Sequence, residues 1–213
     1  MTWQPRTPQE IEAESFRRIE AAAGAHGFPP TVWAVVRRMI HTSGDLDYLK
    51  TVRFHPQAVA AGVAALRRRG AVGTDTRMLL AGISTGRLKQ LGVEAFCLMD
   101  DPEVGREAAR RRVTRATVAM ERTLPRLAGG IVAIGNAPTA LLRLLEMLAA
   151  GAPPPALVLG LPVGWVNAAE SKEALNRQDF CPYITALGPK GGSPVAAAVI
   201  NALAIMALEE TAL

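Results

Sequence analysis

Aromatic side chains are scarce: Phe, Tyr and Trp together make up 5% of the 213 residues. That scarcity argues against the stacking platforms on which single-stranded nucleic acid is held. The two cysteines, Cys97 and Cys181, lie far apart and outside any CxxC spacing, so reduced, buried thiols are expected rather than a disulfide framework. The three histidines, His26, His41 and His55, show no metal-ligand spacing, and no metal site is expected. Walker A, GxGxxG and GxSxG are all missing, which leaves nucleotide binding and serine-hydrolase chemistry without a motif. The longest apolar run, Pro194 to Leu208, is too short for a bilayer and contains Asn201. Met1-Thr2-Trp3-Gln4-Pro5 lacks the basic-then-apolar opening of a signal peptide. A soluble, cytoplasmic protein that spans no membrane is expected.

What the chain does have is apolar aliphatic bulk. Hydrophobic residues reach 49%, mostly Ala, Leu and Val, enough for a full α/β core and incompatible with a disordered chain. Short apolar runs alternate with helical runs. Ala71 to Thr74 precedes a helix from Asp75, Glu94 to Met99 precedes an arginine-rich helix, and Gly130 to Ile134 precedes Pro138 to Ala150. Ala156 to Leu159 is followed by Asn167 to Arg177, and Tyr183 to Leu187 by Ser193 to Leu208. Five strands, each followed by a helix and with no dividing linker, predict a single α/β domain over 1–213: a mainly parallel five-stranded sheet with helices on both faces. Leu46 to Phe54 reads as partly extended. Ligands of such sheets bind at the carboxyl ends of the strands. The loops there carry Asp75-Thr76-Arg77-Met78, Asp100-Asp101-Pro102, Gly135-Asn136-Ala137-Pro138-Thr139, Leu161 to Asn167 and Gly188-Pro189-Lys190-Gly191-Gly192-Ser193. Glycines and helix N-termini bring backbone amides to an anion. Several such loops on one edge point to a large ligand touched from many sides.

The formal charge is +5. Arg67-Arg68-Arg69 and the group Arg106, Arg110, Arg111, Arg112 and Arg115 concentrate it. Charge alone fits nucleic acid, a solvated face, or a polyanion whose carboxylates arginine grips bidentately. No recognition motif supports nucleic acid, so no nucleic-acid partner is expected. Asp100-Asp101 reads as a helix cap, and Ser171-Lys172 as surface, with Lys172 able to reach an anion at the strand edge.

One acid/base candidate stands out. Val32, Val36, Met39 and Ile40 repeat at helical spacing behind Pro29-Pro30, which puts His41 at a helix C-terminus. The carbonyl end of a helix favours the imidazolium. Thr42, Ser43 and Asp45 are within reach of a ring nitrogen, and a merely structural histidine capping the helix against Asp45 is the competing reading. Earlier, Thr7-Pro8 opens a helix on which Ile11, Ser15, Ile19 and Ala22 share a stripe. The Ser15 hydroxyl therefore sits on an apolar face, either bonded back to its own helix or available to a ligand.

Several of these pieces together resemble one family, the precorrin-8X and cobalt-precorrin-8 methylmutases of cobalamin biosynthesis. The resemblance rests on Arg38-Met39-Ile40-His41-Thr42-Ser43-Gly44-Asp45, on Asp75-Thr76-Arg77-Met78 leading to Gly82-Ile83, and on Ile134-Gly135-Asn136-Ala137-Pro138-Thr139-Ala140. It continues through Pro162-Val163-Gly164-Trp165-Val166, Glu170-Ser171-Lys172 and Gly188-Pro189-Lys190-Gly191-Gly192-Ser193. The pieces stand in family order and cover the chain from Ser15 to the last helix; Trp165 stands where Phe is usual. The resemblance implies a homodimer with a Rossmann-like, three-layer α/β/α fold and an active site at or near the dimer interface. It implies an isomerase that moves a methyl group from ring carbon eleven to carbon twelve of precorrin-8X, or of its cobalt form, by a suprafacial sigmatropic shift without a cofactor. His41 matches the family's proton donor. Ser15, Thr85, Arg115, Asn136 and Lys190 are the residues expected to contact this polycarboxylate tetrapyrrole. A non-catalytic carrier of corrinoid intermediates is the alternative from another class.

Overall fold

In a computed structural model that describes residues 6–209, Thr7 and Glu10 close a capping box at the first helix, α1 (Pro8–Ala23). Met1 to Pro5, the stretch without signal-peptide character, lie outside the described residues. Gly24, at φ 60°, ends α1. That helix buries none of its own residues completely and lies against α2 (Pro30–Ser43), whose inward stripe is Trp33, Val35, Val36, Met39 and Ile40. Glu20 on α1 accepts from Trp33 Nε1 at 2.7 Å and from Arg37 at 2.9 Å. Gly44 closes α2 in the left-handed region at φ 67°, where a side chain would be strained.

The chain continues through α3 (Tyr48–Thr51), β1 (Val52–Phe54), α4 (Ala58–Arg67), β2 (Val72–Thr74), α5 (Arg77–Gly82), α6 (Thr85–Leu91) and β3 (Ala95–Cys97). Next come α7 (Pro102–Arg111), α8 (Arg115–Thr123), β4 (Ile131–Ile134), α9 (Pro138–Ala149), β5 (Leu157–Gly160), α10 (Ala168–Arg177), β6 (Tyr183–Ala186) and α11 (Ser193–Glu209). The strands form one sheet in the order β1-β6-β5-β4-β2-β3. All neighbours run parallel except β1, which pairs antiparallel with β6 and sets Val52 opposite Ala186. The sheet therefore has six strands rather than five. The sixth comes from the partly extended stretch before His55; its three residues are too few to show a period in sequence.

Alternation along the central strands sorts the core into two layers. Ile131 and Ala133 of β4, with Leu157 and Leu159 of β5, face α2, α4 and α11. Val132 and Ile134, with Val158, face α8, α9 and α10. This is the three-layer α/β/α arrangement. Every residue of β4, β5 and β6 is buried, as a parallel sheet covered on both faces requires. Small residues allow the close approach: a Cβ on Gly160 would fall 2.3 Å from Leu175 Cδ2.

The arginine-rich segment is two helices, not one. Arg112 takes a left-handed φ of 55° and Thr114 caps the next turn. The pair then packs through Val104, Ala108, Val118 and Ala119. Folding draws much of its positive charge into ion pairs. Glu121 accepts from Arg111 at 2.9 Å and from Arg143 at 2.7 Å, and Glu107 accepts from Arg122 at 2.8 Å. Among the described residues, no helix is long and apolar enough to cross a membrane.

Candidate active site

β1 runs opposite to its neighbour, so the chain leaving α2 returns to the sheet at the carboxyl ends of the parallel strands. The last turn of α2 therefore stands on the same rim as the loops after β2, β3, β4, β5 and β6, and it carries His41. His41 is exposed on that rim. Its Nδ1 lies 2.7 Å from Ser15 Oγ on α1, and its ring meets the edge of Phe16 at 5.3 Å between centroids. Arg37 stacks over the Phe16 ring as well, 4.3 Å from its centroid.

Asp45 is not the partner of His41, as the structural reading of this histidine would require. Its carboxylate accepts from Lys190 Nζ at 2.6 Å, and Asp47 accepts from the same ammonium at 2.6 Å. Nor is the Ser15 hydroxyl spent on its own helix. It meets Nδ1, which leaves Nε2 as the other ring nitrogen. His41 and Ser15 line a groove of about 470 Å³ together with Ile11, Arg18, Ile40 and Leu46.

The other expected contacts are spread along the rim. Asn136 is exposed on the loop after β4, and its position is set by a buried carboxylate. Asp75, 4% exposed, accepts from the backbone N–H groups of Gly135 at 2.9 Å and of Asn136 and Ala137 at 2.8 Å each. Burial pushes the Asp75 carboxyl above its ordinary range, against the downward pull of those amides. Asp75 thus staples one loop to the next, and Thr76 rather than Asp75 caps the following helix.

Arg115 opens α8 and is exposed in a second groove of about 470 Å³, beside Asp100, Asp101, Gly105 and Arg106 at the end of β3. Asp101 is there a cap, accepting from Glu103 N at 2.8 Å. Thr85 stands apart. It begins α6 on the flank, in a groove that shares no residue with that of His41, while its neighbour Ser84 is anchored to Asn201 midway along α11. From the β6 end, with Lys190, to the β3 end, with Arg115, the rim crosses four strand spacings, about 20 Å. A ligand touching both ends must be broad.

Two features were not read from the sequence. Trp165 and Val166 in the loop after β5 are 91% and 77% exposed, and Met78 after β2 is 68% exposed, which makes part of this polar rim apolar. Ser171 and Lys172, expected at the surface, are wholly buried. Ser171 donates to Ala168 O at 3.0 Å, and Lys172 Nζ donates to Lys190 O at 2.7 Å. Desolvation pulls the Lys172 ammonium down to about 8. A four-carbon side chain with a charged end reads as polar in sequence, and only the packing of α10 beneath the rim shows that it points inward.

Comparison with known proteins agrees with this architecture. Residues 10–206 match the model of the precorrin-8X methylmutase family. The chain is 42% identical to the cobalt-precorrin-8 methylmutase of Priestia megaterium over 94% of its own length and 88% of that protein. It is 44% identical to the precorrin-8X methylmutase of Pseudomonas aeruginosa over 93% of its length and 96% of that protein. The crystal structure of precorrin-8X methylmutase from Thermus thermophilus superposes with a TM-score of 0.85 at 43% identity, covering 94% of this chain and 98% of that one. With that likeness running from α1 to α11, the chain belongs to the precorrin-8X methylmutase family, isomerases of cobalamin biosynthesis.

Proposed function

We propose that this chain moves the methyl group of precorrin-8X, or of its cobalt form, from ring carbon eleven to carbon twelve, with His41 as the proton donor. The observation that carries the reading is the pairing of Ser15 Oγ with His41 Nδ1 on an open rim. An imidazolium has two N–H donors, and a hydroxyl can accept from Nδ1–H both before and after Nε2 gives up its proton. Nε2–H is then the donor left for whatever fills the groove that His41 lines. Protonation makes the conjugated macrocycle electron-poor; the bond from the methyl to carbon eleven breaks as the bond to carbon twelve forms. Loss of a proton restores neutrality and returns His41 to its starting state. Atoms and electrons balance within the substrate, so the reaction asks of the protein only proton transfer, orientation and shape.

A broad polycarboxylate fits the rest of the rim. Arg115 and Asn136 stand on it with exposed side chains, while Lys190, between them and His41, already gives its ammonium to Asp45 and Asp47. Thr85, off the rim in this protomer, belongs to the same reading if it serves a neighbouring copy. A homodimer is part of the proposal, supported by the exposed apolar surface of Trp165, Val166 and Met78, and a cytoplasmic setting is the finer inference on location.

The test is the visible absorption spectrum of precorrin-8X incubated with the protein, since the shift changes the conjugation. Wild type converts it, whereas His41→Ala lowers turnover by about 10²–10⁴-fold, the usual worth of a general acid, while still binding. Undiminished turnover by His41→Ala removes the acid role. Binding by wild type without conversion of either the metal-free or the cobalt form leaves the carrier.

A further inference from the structure

We propose that Lys172 is a positioning residue for the methyl shift, holding His41 in place through Lys190. Lys172 is wholly buried, yet among the described residues no carboxylate pairs with it; its ammonium donates to the carbonyl of Lys190, at 2.7 Å. An ammonium removed from water without a counter-ion is costly, and a methionine or leucine would fill the same space more cheaply. A group that breaks the rules of burial is usually retained for what it positions.

What Lys172 positions is a loop with two further constraints. A Cβ on Gly191 would lie 2.3 Å from Leu161 O and 2.6 Å from Pro162 O, so the loop after β6 is pressed directly onto the loop after β5. Gly192 N donates to Leu161 O at 2.9 Å, and Gly164 N to Pro189 O at 3.1 Å. Lys172 grips this laced pair from below at Lys190. The Lys190 side chain then reaches outward and joins Asp45 and Asp47, each at 2.6 Å. Asp45 is the residue after Gly44, the cap of the helix whose last turn carries His41. A continuous line thus runs from α10 through the Lys190 backbone and ammonium to the end of α2.

The inference rests on His41 being the acid, and the experiment separates the two. Lys172→Met, Lys190→Met and the double variant are compared with wild type by amide hydrogen exchange over residues 44–47 and by steady-state kinetics, with His41→Ala alongside. Exchange over 44–47 should quicken in Lys172→Met, at a site that Lys172 itself does not touch. Turnover should fall about tenfold in each single variant, with KM little changed in Lys172→Met, since a small misplacement of an acid weakens the transition state more than binding. The double variant should be no slower than the singles, because coupled residues on one line are not additive. Unchanged exchange over 44–47 in Lys172→Met overturns the proposal, and so does a double variant in which the two losses multiply. If Lys172→Met does not fold, Lys190→Met, which leaves the buried bond intact, must by itself show quicker exchange over 44–47 and the same loss of turnover; failing either, the line is not what holds His41. Full activity in His41→Ala would instead sink the acid role, with the exchange data still deciding whether the clasp exists.

Discussion

Ser15 Oγ stands 2.7 Å from His41 Nδ1, although the two residues are 26 positions apart and belong to different helices. The bond settles the orientation of the imidazole that the end of α2 alone leaves free to turn. It also gives α1, a helix with no fully buried residue, a task beyond packing. Ser15→Ala removes the hydroxyl and no apolar contact of consequence. Turnover should fall about tenfold, the cost of losing an orienting hydrogen bond, with binding of the tetrapyrrole changed little. Steady-state kinetics check this; a loss confined to KM would make Ser15 a substrate contact and not the support of His41.

Part of this site is visible in the sequence. The apolar stripe of α2 ends at Gly44, so His41 can be placed at a helix C-terminus from spacing alone. The five parallel strands and the helices that follow them are legible because each strand is a short apolar run and each helix has its own period. The antiparallel β1 is not, since three residues with mixed burial carry no pattern. The break between α7 and α8 falls at Arg112, where a left-handed turn is made without the glycine or proline that would announce it. Pairings between distant segments are out of reach for a more general reason: neither Ser15 with His41 nor Lys190 with Asp45 and Asp47 leaves a trace in local spacing. Lys190 can be read as basic, but not as already engaged by two carboxylates.

Asp75 lies outside the proton chemistry and inside the architecture of the rim. Its two carboxylate oxygens accept from three consecutive backbone amides of the loop after β4. In Asp75→Asn, an amide oxygen at the Oδ2 position keeps the bonds from Asn136 and Ala137, but the NH2 group then faces the N–H of Gly135. One buried donor is left without an acceptor, at a cost of about 1–3 kcal/mol. Relief of the buried negative charge offsets part of it. Urea denaturation should show a net loss of stability, and the rim loop that presents Asn136 should exchange its amides faster. A variant as stable as wild type would mean that the Gly135 N–H finds a partner elsewhere or that relief of the buried charge outweighs its loss.

Lys172 makes a separate prediction about stability and pH. Burial lowers its folded-state value to about 8 from an ordinary 10.5. Between those two values the unfolded chain still holds the proton that the folded chain has released. Folding therefore releases a proton, and stability rises as the pH climbs through this window. The full gain is about 3 kcal/mol, at roughly 1.4 kcal/mol for each pH unit that separates the two values. Below pH 8 the ammonium is charged in both states and its desolvation weighs against the fold. Cys97, Cys181 and the tyrosines titrate nearby, but they are common to wild type and Lys172→Met and cancel in the difference. Urea midpoints measured from pH 7 to 10.5 should show wild type gaining on Lys172→Met by about that amount. At pH 7 the loss of the bond to Lys190 and the relief of the buried charge work in opposite directions, so the variant should stay close to wild type in stability while its turnover falls. A difference that stays flat across the window would mean that the Lys172 ammonium keeps its water, and would remove the cost that makes its burial informative.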